Sequence, residues 1–182
     1  MKKRIAFVHN AMWEMYNFRG ELLQELKAKG YEITVICPPD EKNAHYFTDL
    51  GIKLLTVPMS RKGTNIKEDV QLVKNLFKVY KKEKFDLVFH YTIKPNIYGT
   101  LAAKLAGIKS IAITTGLGYV FLHNNITSLI AKFMYKFSLA FANEVWFLND
   151  DDMNIFLDKD LITERQAFKL PSEGINTKRF VP

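Results

Sequence analysis

Short apolar runs alternate with amphipathic stretches along all 182 residues. This predicts an α/β domain with a doubly wound, mainly parallel, Rossmann-like sheet of about seven strands and helices on both faces. Three observations carry the prediction. Runs such as "RIAFVH" and "ITVIC" are almost continuously apolar, the mark of strands covered on both sides. The stretches between them place apolar residues at spacings of three and four. Glycine or proline punctuates most changes from one pattern to the other.

The first strand is "RIAFVH" at 4–9. A helix is predicted over 17–30, with Phe18, Leu22 and Leu26 on its inner face and Gly30 as its stop. "YEITVICPP" is the second strand, ended by Pro38 and Pro39, which cannot donate to a ladder. A short helix closes at Gly51, and "IKLLTVP" is the third strand. Ile66, Val70, Val73, Phe77 and Tyr80 mark the inner face of a long helix whose opposite side is rich in lysine. "FDLVFHY" (85–91) is the fourth strand, and Pro95 opens a helix that ends at Gly107. "IKSIAIT" is the fifth strand. Residues 126–142 form a helix that is apolar almost all round. "EVWFLN" is the sixth strand, "DDDMNIFLD" a helix with acids at its N-terminus, and "QAFKLP" the last strand.

A hydrophobic content of 48% supports a packed core and argues against disordered and fibrous classes. With no linker, repeat or low-complexity segment, residues 1–182 read as one domain. The single cysteine, Cys37, allows no internal disulfide and fits a reducing, cytoplasmic compartment. The first apolar run is too short for a signal peptide, and no stretch has the length and purity of a transmembrane helix. The formal charge is +7, and between Arg61 and Lys84 there are eight basic residues against three acids. Such an excess suits nucleic acid, an anionic membrane or a phosphorylated substrate, or is simply a solvated helix face. No nucleic-acid partner is expected, because no recognition motif is present. One cysteine and four scattered histidines give no zinc spacing, so no metal is expected. There is no GxGxxG, P-loop lysine or GxSxG.

In a doubly wound sheet, ligands bind beyond the carboxyl ends of the strands. That rule selects the loops at 9–17, 37–42, 58–65, 91–95, 114–124 and 149–152. The first holds His9, Asn10, Trp13, Glu14, Tyr16 and Arg19. Aromatic rings there suit the apolar faces of sugars and amides suit hydroxyls, although Trp13 and Tyr16 could equally cap the sheet edge. After the fourth strand, His90 reads as a satisfied strand-end histidine, whereas Tyr91 and Lys94 lie further out, and Lys94 could meet a phosphate. After the fifth strand, Gly116 and Gly118 permit positive φ or close approach by another molecule. A tight turn would explain one of them. Two, beside Thr114 and Thr115 and ahead of a helix N-terminus, could present N–H groups to a phosphate. Tyr119, Phe121 and the apolar helix with Lys132 and Lys136 have the composition of a surface that meets lipid headgroups. A helix buried in the core is the alternative.

Taken in order, "YNFRGELLQELKAKGYEITVICP", "HYTIKPNIYGTLAAKLAGI", "ITTGLGYVF" and the tail "LPSEGINTKRFVP" resemble the N-terminal half of GT-B glycosyltransferases of family 4, in particular bacterial enzymes that extend polyprenyl-diphosphate-linked glycans. The resemblance implies an acceptor-binding domain over 1–182, with a C-terminal donor domain, absent from this chain, carrying the family's paired glutamates. It implies sugar transfer with retention from a nucleotide sugar, a UDP-sugar, to a lipid-linked or polysaccharide acceptor in surface-glycan synthesis, on the inner face of the cell membrane and with no other cofactor. By analogy His9, Asn10, Trp13, Tyr16, Arg19, Tyr91 and Lys94 line the acceptor cleft. Thr115, Gly116, Leu117, Gly118 and Tyr119 face the donor. Lys74, Lys78, Lys81, Phe121, Lys132 and Lys136 face the membrane. Many members carry a histidine after the fifth strand; here that loop reads Thr114-Thr115-Gly116-Leu117, so no catalytic residue is assigned. Two other readings stay open: a nucleotide-sugar epimerase-like half, and a non-enzymatic Rossmann-like module that holds anions by charge.

Overall fold

The computed structural model of the chain describes residues 2–60, 65–117, 126–171 and 174. Gly118, Tyr119, Phe121 and most of the tail motif from 172 onward lie outside the described residues. Seven strands form one sheet: β1 (Arg4–Val8), β2 (Glu32–Cys37), β3 (Lys53–Thr56), β4 (Leu87–Tyr91), β5 (Lys109–Thr114), β6 (Glu144–Phe147) and β7 (Ala167–Lys169). Their order is β3-β2-β1-β4-β5-β6-β7, and every pairing is parallel. The sheet is therefore wholly parallel, which the near-continuous apolar runs require.

Strand alternation divides the core. Ile5 and Phe7 of β1 point to one face with Phe89 and Tyr91 of β4, where α1 (Met12–Ala28) and α2 (His45–Asp49) cover the β1–β3 half. Ala6 and Val8 point to the other face with Val88. There α3 (Ile66–Glu83) and α4 (Thr100–Ala106) pack, followed by α5 (Ile126–Leu139) and α6 (Asp150–Asp158) against β5 and β6. Helices thus lie on both faces, as right-handed crossovers dictate when the chain reverses direction between β3 and β4.

Two helix faces differ from the sequence expectation. Helix α1 begins at Met12, not at 17, and buries Met12, Met15, Arg19, Gly20 and Leu23, leaving Phe18 and Leu22 exposed. The inner row is set by Arg19, whose guanidinium lies 4.8 Å from the Tyr91 ring centroid, a cation–π contact that lets a cation occupy a core position. In α3 the inner row is Asp69, Leu72, Leu76, Tyr80 and Glu83. Val73 and Phe77 are half-buried, while Val70 is exposed and Ile66 is 78% exposed. Here Asp69 sets the row, held inside by Lys94 and Tyr98. A reading that places charges outside rotates both helices the wrong way.

Side-chain caps fix two helix starts. The Asn65 side-chain oxygen accepts from the backbone N–H of Lys67 while its amide donates to Glu68, and Asn149 accepts from Asp152 N–H at 2.7 Å. At the amino edge of the sheet, the buried Glu83 carboxylate ends α3 on Lys53 at 2.6 Å and Arg4 at 3.0 Å. The Lys53 hydrogen bond is the main cause that holds its pKa below the usual carboxylate range.

His90 on β4 is fully buried, with Nε2 2.9 Å from the Tyr80 hydroxyl and Nδ1 3.4 Å from the Thr100 hydroxyl. Room for the ring comes from Gly99, where an added Cβ would sit 2.5 Å from His90 Cδ2. Gly99 ends a π-helical turn, Pro95–Gly99, that joins β4 to α4. Gly99→Ala is therefore expected to cost about 1–3 kcal/mol in a denaturant melt, the range for overpacking a tight core. Burial also pushes the His90 pKa down to about 3. The unfolded chain takes up the proton near pH 6.5 and the folded one does not, so stability is full above that pH and falls below it. The His90→Gln variant is expected to lack the wild-type decline of up to about 1.4 kcal/mol per pH unit between pH 6.5 and 5.

Candidate functional site

Between β1 and β4 the sheet reverses its winding: the chain leaves β1 toward β2 on one side and β4 toward β5 on the other. Connections diverge at such a point and open a crevice beyond the strand ends. His9 and Asn10 follow β1, Thr92 follows β4, and Thr115 and Gly116 follow β5. The strand-end rule applied to the sequence therefore selects the loops that meet here.

Polar side chains at this edge are buried in an unusual way. Among the described residues, Asn10 Oδ1, Thr92 Oγ1, Asn96 Oδ1 and Thr114 Oγ1 are buried without a hydrogen-bond partner, and all four belong to the carboxyl edge of β1, β4 and β5. Ser138 Oγ, within α5, is a further case elsewhere. Each such group costs about 1–3 kcal/mol if left unmatched. Thr92 adds backbone strain, with φ at +70°, a left-handed conformation that a β-branched residue rarely adopts. Strain of this kind gathers at ligand clamps. Gly116, with φ at +140° and open space where a Cβ would stand, gives the β5 loop a bare backbone on the same edge. Neither Thr92 nor Asn96 was singled out from the sequence. The residue code carries no φ, and an Asn after Pro95 reads as an ordinary helix start.

His9 is buried, with its ring 6.0 Å from Tyr91. Its Nδ1 accepts the Ala11 N–H at 2.9 Å, which leaves Nε2 to carry the proton of the neutral ring, 3.8 Å from the Glu14 carboxylate. His9 is thus a donor directed at an acid in its neutral form. Trp13 is half exposed and lines a cleft of about 310 Å³ together with Asn10, Glu14, Pro38, Asp40 and Met59. An exposed indole in a cleft that amide and carboxylate residues also line suits a sugar face and its hydroxyls. Tyr16 is placed differently: it stacks on Tyr46 at 4.0 Å and meets Phe47 edge-on, so it ties α1 to α2. Trp13, Tyr16 and Arg19 belong to the first turns of α1 and not to a loop.

Tyr91 and Lys94 also differ from the expectation that they project past the strand. Tyr91 is the last residue of β4 and is buried between Phe7 and Arg19. Lys94 is buried with Nζ 2.7 Å from Asp69 Oδ1 and 2.8 Å from the Ser60 hydroxyl. Tyr98 donates to the second Asp69 oxygen at 2.7 Å, and burial first, then this carboxylate, raises its pKa. The network joins α3, the β3–α3 connection and the π-helical turn. It also walls a second cleft of about 270 Å³ with Glu68, Gln71 and Asn75. An ammonium has three donors, and these contacts use two. Asp69 is the residue that sequence reasoning missed. The signal was available in the spacing 69, 72, 76, 80 along one helix face.

Lys74, Lys78, Lys81 and Lys136 are exposed, and Lys132 is half-buried. The Cys37 thiol, at the end of β2, is buried and pushed up to about 12, so it stays protonated. No helix among the described residues is long and apolar enough to cross a membrane.

A family model described as "Glycosyl transferase 4-like" matches residues 4–149. The N,N'-diacetylbacillosaminyl-diphospho-undecaprenol alpha-1,3-N-acetylgalactosaminyltransferase of Campylobacter jejuni is 32% identical over 98% of this chain and 48% of its own length. The UDP-Gal:alpha-D-GlcNAc-diphosphoundecaprenol alpha-1,3-galactosyltransferase of Escherichia coli is 24% identical over 84% of this chain and 39% of its own. The chain therefore spans less than half the length of these two relatives. Among solved structures, a UDP-N-acetylglucosamine 2-epimerase superposes with a TM-score of 0.69 over 93% of this chain and 48% of its own, at 16% identity. That likeness speaks to the fold alone.

The Asp69–Lys94 pair yields a double-mutant test. Removing one partner of a buried pair leaves the other charge uncompensated and costs about 3–5 kcal/mol. Asp69→Leu alone is expected to fall in that range by denaturant melt, and Asp69→Leu with Lys94→Met to recover most of it.

Proposed function

Since this chain belongs to the glycosyl transferase 4-like family, we propose that it is the acceptor-side domain of an enzyme that moves a sugar from a nucleotide sugar, a UDP-sugar, to a polyprenyl-diphosphate-linked acceptor. The observation that carries the reading is the set of unmatched buried oxygens at the β1, β4 and β5 ends, together with the strained backbone of Thr92 on the same edge. Oriented acceptors of this kind are what a sugar hydroxyl requires, because its donors need partners once the cleft excludes water. In the transfer, the bond from the anomeric carbon to the donor phosphate breaks and one to the acceptor oxygen forms. The nucleoside diphosphate leaves with its electron pair, and the acceptor hydroxyl gives up its proton.

The roles divide by position. Trp13, Asn10 and Glu14 belong to the acceptor side, where the indole stacks and the polar groups bond hydroxyls. His9 and Arg19 act beside them, the first through its Nε2 proton and the second as a fixed positive charge near the diphosphate. Thr115 and the bare backbone at Gly116 face the donor, whose main site belongs to a further domain of the complete protein. Oriented N–H groups and cations there stabilise the developing diphosphate charge. The names of both curated relatives carry an undecaprenyl diphosphate, which favours transfer over the epimerase reading that fold likeness alone would leave level. Peripheral residence on the inner face of the membrane and retention of configuration belong to the same proposal.

The test is an assay of the complete protein with UDP-sugars and an undecaprenyl-diphosphate-linked sugar in detergent, read by mass spectrometry of the lipid. Transfer is expected. Asn10→Ala is expected to lower kcat/KM about 5–100-fold, the cost of one to three kcal/mol in a lost hydrogen bond. Thr92→Gly relieves the left-handed strain, so its Tm is expected to hold or rise while transfer falls. Conversion of the UDP-sugar into its epimer without acceptor would overturn the proposal.

A further inference from the structure

We propose that Asn96 is a positioning residue for the transfer. It fastens the turn after β4, which carries Thr92, to the end of β5, and so fixes the donor-facing backbone at Thr115 and Gly116 against the acceptor side. The roles of the two sides rest on the proposed reaction; the fastening does not. Asn96 is 1% exposed. Its Nδ2 donates to the Ile113 carbonyl at 3.0 Å, across 17 residues of chain. Its backbone N–H donates to the Thr92 carbonyl at 2.9 Å. The Tyr135 hydroxyl of α5 accepts from the same side chain.

These bonds surround one loop. Ile113 is the β5 residue opposite Tyr91, where β4 ends. Past that pair β4 offers β5 no further partner, and the Asn96 amide bonds the β5 carbonyl there. Thr114, Thr115 and Gly116 follow directly. Tyr135 stands in the next helix along the chain. One amide group therefore holds both the strand that enters the donor-facing loop and the helix that follows it. The bond to the Thr92 carbonyl holds the strained residue to the same frame.

The turn itself is anchored on two sides. Lys94 and Tyr98, two residues before and after Asn96, both bond Asp69 of α3. The π-helical turn Pro95–Gly99 thus has one hold on α3 and another on β5 and α5. Turns of this kind are frequent at functional sites.

The unused atom of Asn96 argues against a part in stability alone. An amide offers two N–H donors and an accepting oxygen. The nitrogen is in use, while Oδ1 is buried without a partner. A residue kept only for stability would bond at both ends, because a buried oxygen left unmatched is costly. What the amide supplies, and a leucine of similar branched shape cannot, is a fixed spacing between the two turns. Sugar transfer needs the acceptor oxygen held close to the anomeric carbon, and a misplacement of about 1 Å can cost about 100-fold in rate.

The test uses the complete protein, a UDP-sugar and an undecaprenyl-diphosphate-linked sugar in detergent. Asn96→Leu is expected to lower kcat by about 30-fold or more, with KM for each substrate within about three-fold of wild type. Its Tm is expected to stay within a few degrees, because it removes one unmatched oxygen and leaves another at Ile113. Tyr135→Phe takes away one bond only and is expected to lower kcat about 3–10-fold at unchanged KM. Hydrogen exchange of the complete protein, read by mass spectrometry, is expected to speed up in Asn96→Leu over residues 113–117. Residues 4–8 and 32–37 are expected to keep wild-type rates. Unchanged kcat in Asn96→Leu, a loss carried by KM alone, or a loss that follows a fall in Tm would overturn the proposal. So would unchanged exchange over 113–117, whether or not sugar is transferred. Absence of transfer by wild type, with the exchange difference intact, would count against the acceptor reading alone.

Discussion

The parallel pairing of β1 with β4 is the constraint on which everything else depends. Phe7 opposite Phe89 and Val8 opposite His90 fix the register at the centre of the sheet. That register brings two strands together whose onward connections diverge, so the crevice beyond them follows from topology and not from any one side chain. The neighbouring pair places Tyr91 opposite Ile113, which brings the β4 and β5 turns to the same edge. A slip of one residue would turn the alternating core inside out, exchanging Phe7 and Tyr91 for Val8 and His90.

The two edges of the sheet are built to opposite purposes. At the amino edge, Arg4, Lys53, Glu83 and Asp86 pair with one another, and Arg4 also donates to the Glu83 backbone carbonyl. At the carboxyl edge, buried oxygens lack partners and the backbone at Thr92 is strained. A fold that holds unmatched polar groups and a strained backbone at one edge loses stability there, which sets that edge apart from the paired one opposite. The Asp69, Lys94 and Tyr98 network stands behind this edge. It fixes the turn after β4 by joining it to α3, and its place is structural before it is anything else.

The sheet was legible because both-face burial writes long apolar runs into the sequence, and the winding followed from handedness. The strand-end rule located the loops, and within them Asn10 and Gly116 stand on the carboxyl edge, while Trp13 stands in the first turn of α1. The two helix faces were misread for one reason. Arg19 and Asp69 are charged and buried, each against a partner distant in sequence, Tyr91 in one case and Lys94 in the other. Periodicity counts apolar residues and cannot see such partners. The strain at Thr92 was hidden in the same way, because φ is imposed by tertiary packing. Tyr16 illustrates the converse: an aromatic beside a cleft that serves helix packing, because Gly20 lets its ring lie along α1 toward Tyr46.

The central claim is that the β1, β4 and β5 ends form one wall of a cleft that receives a sugar on a lipid diphosphate. Amide chemical shifts of the 182-residue chain, titrated with a short-chain polyprenyl-diphosphate sugar, test it most directly. The account predicts saturable shifts at Asn10, Thr92, Thr115 and Gly116, with Lys3, Glu32, Asp86 and Lys109 at the amino edge unmoved. Shifts confined to that amino edge, or none at saturating ligand, would contradict it.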